Sequence, residues 1–427
     1  MIVASRQHRR YGLARSGAVT SLLVSGLVLA GCSSSDEPEA QPGQPGVSPT
    51  ADSRDLPTGT GTASPEATTD PAEACVQSAV SAMTTAEQAG QLVMAGTPLT
   101  DADAVVPVVK RNHLGSVFLH GRSSRSAAGL KKEINRIPAM QAGEATIEPL
   151  VSIDQEGGNV QSLRGARWGN LPAARKQGEW DPAQLTQETE AWAEDLAKAG
   201  ITMNLAPVAD VVPSGTEDRN PPIGKYGREY GTSSTQVADA VARVTQALQA
   251  QNVVATVKHF PGLGRVSLNT DLSANVIDTR TSADDAYLQP FVAGMEAGAG
   301  AVMMSSATYD RIDSENRAVF SPTVITELLR GQLGWQGVVM TDDVGAAKAV
   351  ADVKPGQRAV RFVDAGGDLV LTVEPGLARE MMRALATKGA NDADFGDKIE
   401  AAATRVLTLK QTAGLLTCSP EAGSTTS

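Results

Sequence analysis

The sequence predicts an α/β protein built as a single (β/α)8 TIM-type barrel, and three observations predict it. Eight short apolar runs are spaced along the chain, separated by amphipathic, often Ala-rich helical stretches. The runs lack strict alternation, as expected of strands buried on both faces of a parallel sheet. Acids, lysines and arginines recur just beyond the carboxyl ends of several runs, which is where a barrel builds a site.

In chain order the runs are Leu92–Met94, Val117–Leu119, Leu150–Ile153, Ile201–Leu205, Val253–Val257, Ala301–Met304, Val338–Met340 and Leu369–Leu371. Helices are predicted over Gln184–Ala199, Thr235–Gln251, Asp284–Glu296, Val324–Leu333 and Arg358–Asp364. Two more, Leu377–Lys388 and Phe395–Ala413, close the barrel. Gly200, Gly300, Gly334 and Gly367 stand just before strands, the place for helix C-caps. A doubly wound open sheet is the runner-up, but no early strand is followed by G-x-G-x-x-G and no Walker-type loop occurs.

The 427 residues, 41% of them hydrophobic, can bury a large core, and 348 of them (73–420) are assigned to this one barrel domain. Residues 1–31 carry Arg6, Arg9, Arg10 and Arg15 and no acid. An apolar run from Ala18 to Ala30 follows, too short and too small-residued to span a bilayer, so the segment reads as a signal peptide. It ends Leu29-Ala30-Gly31-Cys32, which resembles the lipobox of bacterial lipoproteins. That resemblance implies cleavage before Cys32, a lipid anchor on its thiol, and residence at the extracytoplasmic face of the cell membrane. Residues 32–72, rich in Ser, Pro, Thr and Gly, read as a disordered tether, and 421–427 as a disordered tail. In an exported chain the remaining pair, Cys75 and Cys418, is expected to form a disulfide, the alternative being two free thiols. Net charge is −11, which argues against a nucleic-acid partner.

The strand ends carry the candidate chemistry. Asp154-Gln155-Glu156-Gly157-Gly158 follows the third run and Ala206-Pro207-Val208-Ala209-Asp210 the fourth, with Arg219, Lys225 and Arg228 in the loop beyond. Lys258 and His259 follow the fifth run, and Thr341-Asp342-Asp343 follows the seventh. Taken singly, Asp210 and Asp343 read as helix N-caps. Together, carboxylates, an ammonium and a guanidinium at one barrel mouth suit a polyhydroxylated ligand, whose hydroxyls need donors and acceptors. The four histidines and three cysteines form no zinc pattern, and G-x-S-x-G is absent, which leaves carboxylates as nucleophile and proton donor.

Asp154-Gln155-Glu156-Gly157-Gly158, Asn204-Leu205-Ala206-Pro207-Val208-Ala209-Asp210, Lys258-His259-Phe260-Pro261-Gly262 and Thr341-Asp342-Asp343 resemble the motifs of family 3 glycoside hydrolases. The resemblance runs from about Thr85 to Thr408, and within the family it is strongest to single-domain β-N-acetylglucosaminidases of the peptidoglycan-recycling type. It implies a retaining β-N-acetylhexosaminidase that acts on N-acetylglucosamine-containing muropeptides or related glycans, as a monomer without metal or organic cofactor. Asp342 matches the nucleophile; Asp154, Arg228, Lys258 and His259 match sugar-binding positions.

The sequence also departs from the motif. Leu263 replaces a second His, and Asn269-Thr270-Asp271 stands where Asp-Ser-His is expected, so that Asp271 occupies the acid/base position. Asn159 and Ser306 replace an Arg and a His. The alternative for Asp271 is a turn cap, with water or Glu156 supplying the proton. Alternatives for the whole are a carbohydrate-binding lipoprotein with impaired catalysis, or a β-glucosidase of the same family.

Overall fold

The computed structural model describes residues 70–418. The signal peptide 1–31, Cys32, nearly all of the 32–72 spacer and the 421–427 tail lie outside the described residues. Eight parallel strands form the central sheet: β1 (Val93–Pro98), β2 (Ser116–His120), β3 (Leu150–Ile153), β4 (Met203–Asn204), β5 (Val254–Phe260), β6 (Ala301–Met304), β7 (Val338–Thr341) and β8 (Val370–Thr372). Their spatial order is β8-β1-β2-β3-β4-β5-β6-β7, each beside its chain neighbour. A parallel bridge between Met340 and Leu369, with Thr341 N donating to Leu369 O at 3.0 Å, joins β7 to β8 and brings the sheet round to near closure. All eight predicted runs lie in or overlap these strands. Almost every strand residue is buried, the reason the runs showed no alternation.

Helices wrap the outside. Pro182–Lys198 starts where Asp181 accepts from Ala183 N and Gln184 N, and buries Leu185, Thr189, Trp192 and Leu196 along one stripe. Ser234–Ala250 is capped by Ser233 and buries Val237, Val241, Val244 and Leu248 against the sheet. The predicted helix at Val324–Leu333 is present as Thr323–Gln332 but wound as a π-helix, with Leu333 N donating to Leu328 O at 2.9 Å. Two of the four expected glycine caps are displaced. The left-handed residues are Gly298 (φ 91°) and Gly366 (φ 101°), not Gly300 and Gly367. Those two are glycines for want of room: a Cβ would meet Leu409 Cδ1 at 2.6 Å or the Phe362 ring at 2.2 Å.

The amino-terminal ends of the strands form a floor sealed by a small accessory sheet. The hairpin Met140–Ala142/Ala145–Ile147, which leads into β3, takes Leu416–Cys418 as a third antiparallel strand. The first helix, Pro71–Ser81, begins at the Asp70 cap inside the stretch assigned to the tether, and lays Val76, Ala79 and Val80 against Ile147, Leu407 and Leu416. Cys75 of that helix is disulfide-bonded to Cys418, with Cα atoms 5.9 Å apart.

Candidate active site

At the carboxyl ends of the strands lies a cavity of about 320 Å³, lined by Asp154, Arg228, Lys258, His259, Asp271, Asp342 and Asp343 over an apolar base that includes Phe118, Met303 and Leu371. All six residues singled out for catalysis or sugar binding therefore meet in one place. Arg219 and Lys225, from the same long loop as Arg228, remain exposed outside it.

Lys258 and His259 arrive together through an irregularity in β5. Met303 of β6 pairs with Lys258 and Met304 with Phe260, which leaves His259 as an extra residue between two pairs. Such a bulge re-aims side chains that would otherwise alternate faces. The strand thus continues to Phe260, beyond the expected end at Val257.

Glu156 organises the cationic side. Arg228 grips it with two hydrogen bonds, Nε to Oε2 at 2.9 Å and Nη2 to Oε1 at 2.8 Å. Lys258 Nζ lies 2.6 Å from Glu156 Oε1 and 2.7 Å from Asp154 Oδ1. Burial works to raise the Glu156 carboxyl, but the charges of Arg228 and Lys258 outweigh it and hold the acid down at about 2. Burial likewise presses the Lys258 ammonium down, and Asp154 and Glu156 more than reverse it. Glu156, suggested by sequence as a substitute proton donor, cannot serve: it is buried, doubly ion-paired and ionised. Its actual part, fixing a guanidinium and an ammonium at one wall, needed contacts over 72 and 102 residues of chain that a local motif does not show.

Asp210 is not a helix cap. Fully buried, it accepts from His259 Nδ1 at 2.7 Å and from the backbone of Leu263 at 2.7 Å. The ring is thereby oriented with Nε2 in the cavity, 3.5 Å from Arg228 Nη2 and 4.0 Å from Asp342 Oδ2. Leu263 fits this arrangement through its backbone, its side chain being buried. Asp343 does act as a cap, of a turn: it accepts from Gly345, Ala346 and Val373 N–H groups, each at 2.9 Å. Asp342 beside it accepts only from Asp343 N, at 2.8 Å, and leaves its other oxygen toward the cavity.

Asp271 faces Asp342 from the loop after β5. Its residue is open to solvent at the mouth, yet the protein around the carboxyl, and next the Asp342 charge, push it up to about 6, with Arg228 and His259 opposing. Backbone bonds hold this loop in place: Ala349 N donates to Thr270 O at 2.9 Å and Lys348 N to Asp271 O at 3.2 Å. Its base is fixed by buried Asn220, whose Nδ2 donates to Leu263 O at 2.7 Å and Val266 O at 2.9 Å. The cavity therefore pairs one carboxylate oxygen free for attack with a second carboxyl that holds a proton at mildly acidic pH. Around them stand donors and acceptors for hydroxyl groups.

Comparison with known proteins agrees with this geometry. The chain is 32% identical over 311 residues to a β-hexosaminidase of Stenotrophomonas maltophilia, a match covering 70% of this chain and 88% of the relative. A crystal structure of a β-N-acetylhexosaminidase from Beutenbergia cavernae superposes with a TM-score of 0.74 at 43% identity, covering 77% of this chain and 98% of that one. A family 3 β-N-acetylglucosaminidase from a Paenibacillus species aligns at 27% identity and TM-score 0.67, over 78% of this chain and 63% of that protein. The profile described as the glycosyl hydrolase family 3 N-terminal domain matches residues 84–409, a span that holds all eight barrel strands and every residue lining the cavity. On that match the chain belongs to glycosyl hydrolase family 3.

Proposed function

We propose that the chain is a retaining β-N-acetylglucosaminidase that removes terminal β-linked N-acetylglucosamine from cell-wall-derived glycans such as muropeptides. Glycosidase activity follows from the family and its β-hexosaminidase relatives; the substrate and the residue roles are this reading's own. The observation that carries it is the pairing in one cavity of Asp342, with an oxygen free for attack, and Asp271, with a raised carboxyl.

Asp342 attacks the anomeric carbon while protonated Asp271 delivers its proton to the departing oxygen, and a glycosyl-aspartate forms. Asp271, now ionised, takes a proton from water as that water attacks the same carbon from the opposite face to Asp342, and the Asp342–carbon bond breaks with net retention. Asp154, Lys258, Arg228 and His259 hold the sugar hydroxyls, and the Asp210–His259 and Glu156–Arg228 contacts keep these donors aimed before substrate arrives. No step calls for a metal or an organic cofactor. The chain is further proposed to be held at the extracytoplasmic face of the membrane by lipid on Cys32, a reading supported by Leu29-Ala30-Gly31-Cys32 and the basic and apolar segments before it.

The test is hydrolysis of aryl β-N-acetylglucosaminide against aryl β-glucoside at equal enzyme, followed by trapping with a fluorinated sugar. Faster turnover of the N-acetylated substrate and a mass label on Asp342 are expected. Preference for the glucoside would overturn the substrate assignment, and a label on Asp343 would overturn the nucleophile.

A further inference from the structure

A larger cavity, of about 780 Å³, lies where the loops after β5, β6 and β7 meet the helix Pro355–Asp364. It shares no lining residue with the sugar cavity. The two are nevertheless neighbours along the chain. Asp271 lines the sugar cavity, and Ala274, Asn275 and Ile277 of the same loop line the larger one. From the other side, Ala349 N donates to Thr270 O at 2.9 Å, and Asp352, just beyond it, lines the larger cavity.

Its walls are held by the protein's own contacts. Ile277–Asp278 pairs in parallel with Thr308–Tyr309, which pairs in turn with Asp313–Arg317. Asp313 accepts from the N–H groups of Glu315 and Asn316, each at 3.0 Å, and from Ser321 Oγ at 2.6 Å, so that the projecting turn is fixed. Arg317 Nη2 lies 2.9 Å from Asp352 Oδ1 and ties the loop after β6 to the loop after β7.

The chemistry of the lining is mixed. Ile277, Phe320 and Pro322 supply apolar surface, beside the amides of Asn275 and Asn316. Among the charged groups Arg317 is matched by Asp352, and Asp364 by Lys398. Asp310, Glu315 and Arg361 remain, all exposed and none with an oppositely charged partner among the described residues. Groups of both signs do not select a simple anion, and no cluster of metal-ligating side chains occurs among the described residues. Donors and acceptors set around apolar surface match sugar rings, which carry hydroxyls on their edges and C–H groups on their faces.

We propose that this larger cavity is a non-catalytic binding site for a neutral stretch of glycan chain. The proposal goes beyond the glycosidase reading and does not depend on it. A polymer held there stays next to the Asp271 loop, and its neighbouring chain ends reach the sugar cavity at a raised effective concentration.

The experiment titrates the full chain, in a calorimeter, with a six-sugar β-1,4-linked N-acetylglucosamine chain whose non-reducing end is capped by a 4-O-methyl group. Free N-acetylglucosamine is present at saturating concentration to fill the sugar cavity. Binding at one site is expected, changing little with salt because the chain is neutral. Affinity should fall about ten-fold in Glu315→Ala/Arg361→Ala, as for lost charge-assisted contacts. The same variant should turn over an aryl β-N-acetylglucosaminide like the wild type, and its unchanged thermal unfolding shows that it folds. Absence of binding in the wild type, or equal affinity in the double variant, would overturn the site. Binding that disappears when N-acetylglucosamine is added would place the probe in the sugar cavity and overturn it too. Binding of a lysine-rich peptide in place of the sugar chain would overturn the ligand class. If no aryl substrate is turned over, the glycosidase reading fails, and the titration decides the larger cavity alone.

Discussion

Asp271 sets the pH range over which a proton is ready for the leaving group. Its carboxyl is raised to about 6, so it is protonated below that value and loses the proton as pH rises through it. kcat/KM for a disaccharide, whose leaving group needs protonation, should therefore fall as pH rises through about 6, and this limb should be absent in Asp271→Ala. General acid catalysis is worth roughly 10²–10⁴-fold, so the variant should lose about that on the disaccharide and far less on activated aryl glycosides. Azide should restore part of the aryl rate by replacing the base-assisted water. Equal losses on both substrates without an azide effect would return Asp271 to the role of a turn residue, for which its backbone N–H bond to Asn269 Oδ1 at 2.8 Å is the structural counterpart. Asp154, Lys258, His259 and Asp342 were legible because each sits at or next to a strand end, whereas Arg228 and Asp271, far out on loops, were picked out by the family resemblance. Glu156 and Asp210 were misread because their roles depend on partners far along the chain: Asp210 is read as an N-cap until His259, 49 residues on, is seen against it. Removing one member of a buried ion pair costs about 3–5 kcal/mol, so such positions look catalytic by mutation although they act through Arg228, Lys258 and His259.

Among the elements, the loop after β5 is the one whose placement matters most. Asn220 donates to two of its carbonyls and accepts from Ile223 N at 3.2 Å and Gly224 N at 2.8 Å, all within buried structure. Asn220→Ala leaves those groups unpaired at about 1–3 kcal/mol for each that finds no water. The expected outcome is a lowered urea midpoint together with at least a several-fold drop in disaccharide turnover, as the base of the Asp271 loop loosens. Unchanged turnover in a destabilised variant would mean that the contacts to Lys348 and Ala349 suffice. The periodicity that revealed the strands did not reveal their ends. The fifth run was expected to stop at Val257, where the apolar pattern gives way to Lys258 and His259, and only pairing with β6 shows that β5 runs on through Phe260. The glycine caps slipped for a similar reason, since Gly300 and Gly367 answer to Leu409 and Phe362 rather than to backbone conformation.

For the whole molecule, the disulfide joins residues 343 apart and so closes most of the described chain into a ring. In the chain-entropy account a loop of that length contributes on the order of 5 kcal/mol. Cys75→Ser/Cys418→Ser should lower the denaturant midpoint accordingly and leave kcat/KM little changed, because the bridge lies at the floor and the cavity at the opposite end of the strands. A midpoint equal to the wild type would show that the accessory sheet holds the floor unaided. The anchor is tested by Cys32→Ala, expected to shift the protein from the membrane to the soluble fraction; retention with unchanged lipidation would refute it.

The floor is also where the chain enters the barrel, and this fixes a direction. The helix that begins at Pro71 packs beneath the strands, while the mouth opens from their far ends. A support or label attached ahead of Pro71 therefore joins the barrel on the side away from the mouth, and substrate keeps its access to Asp342 and Asp271.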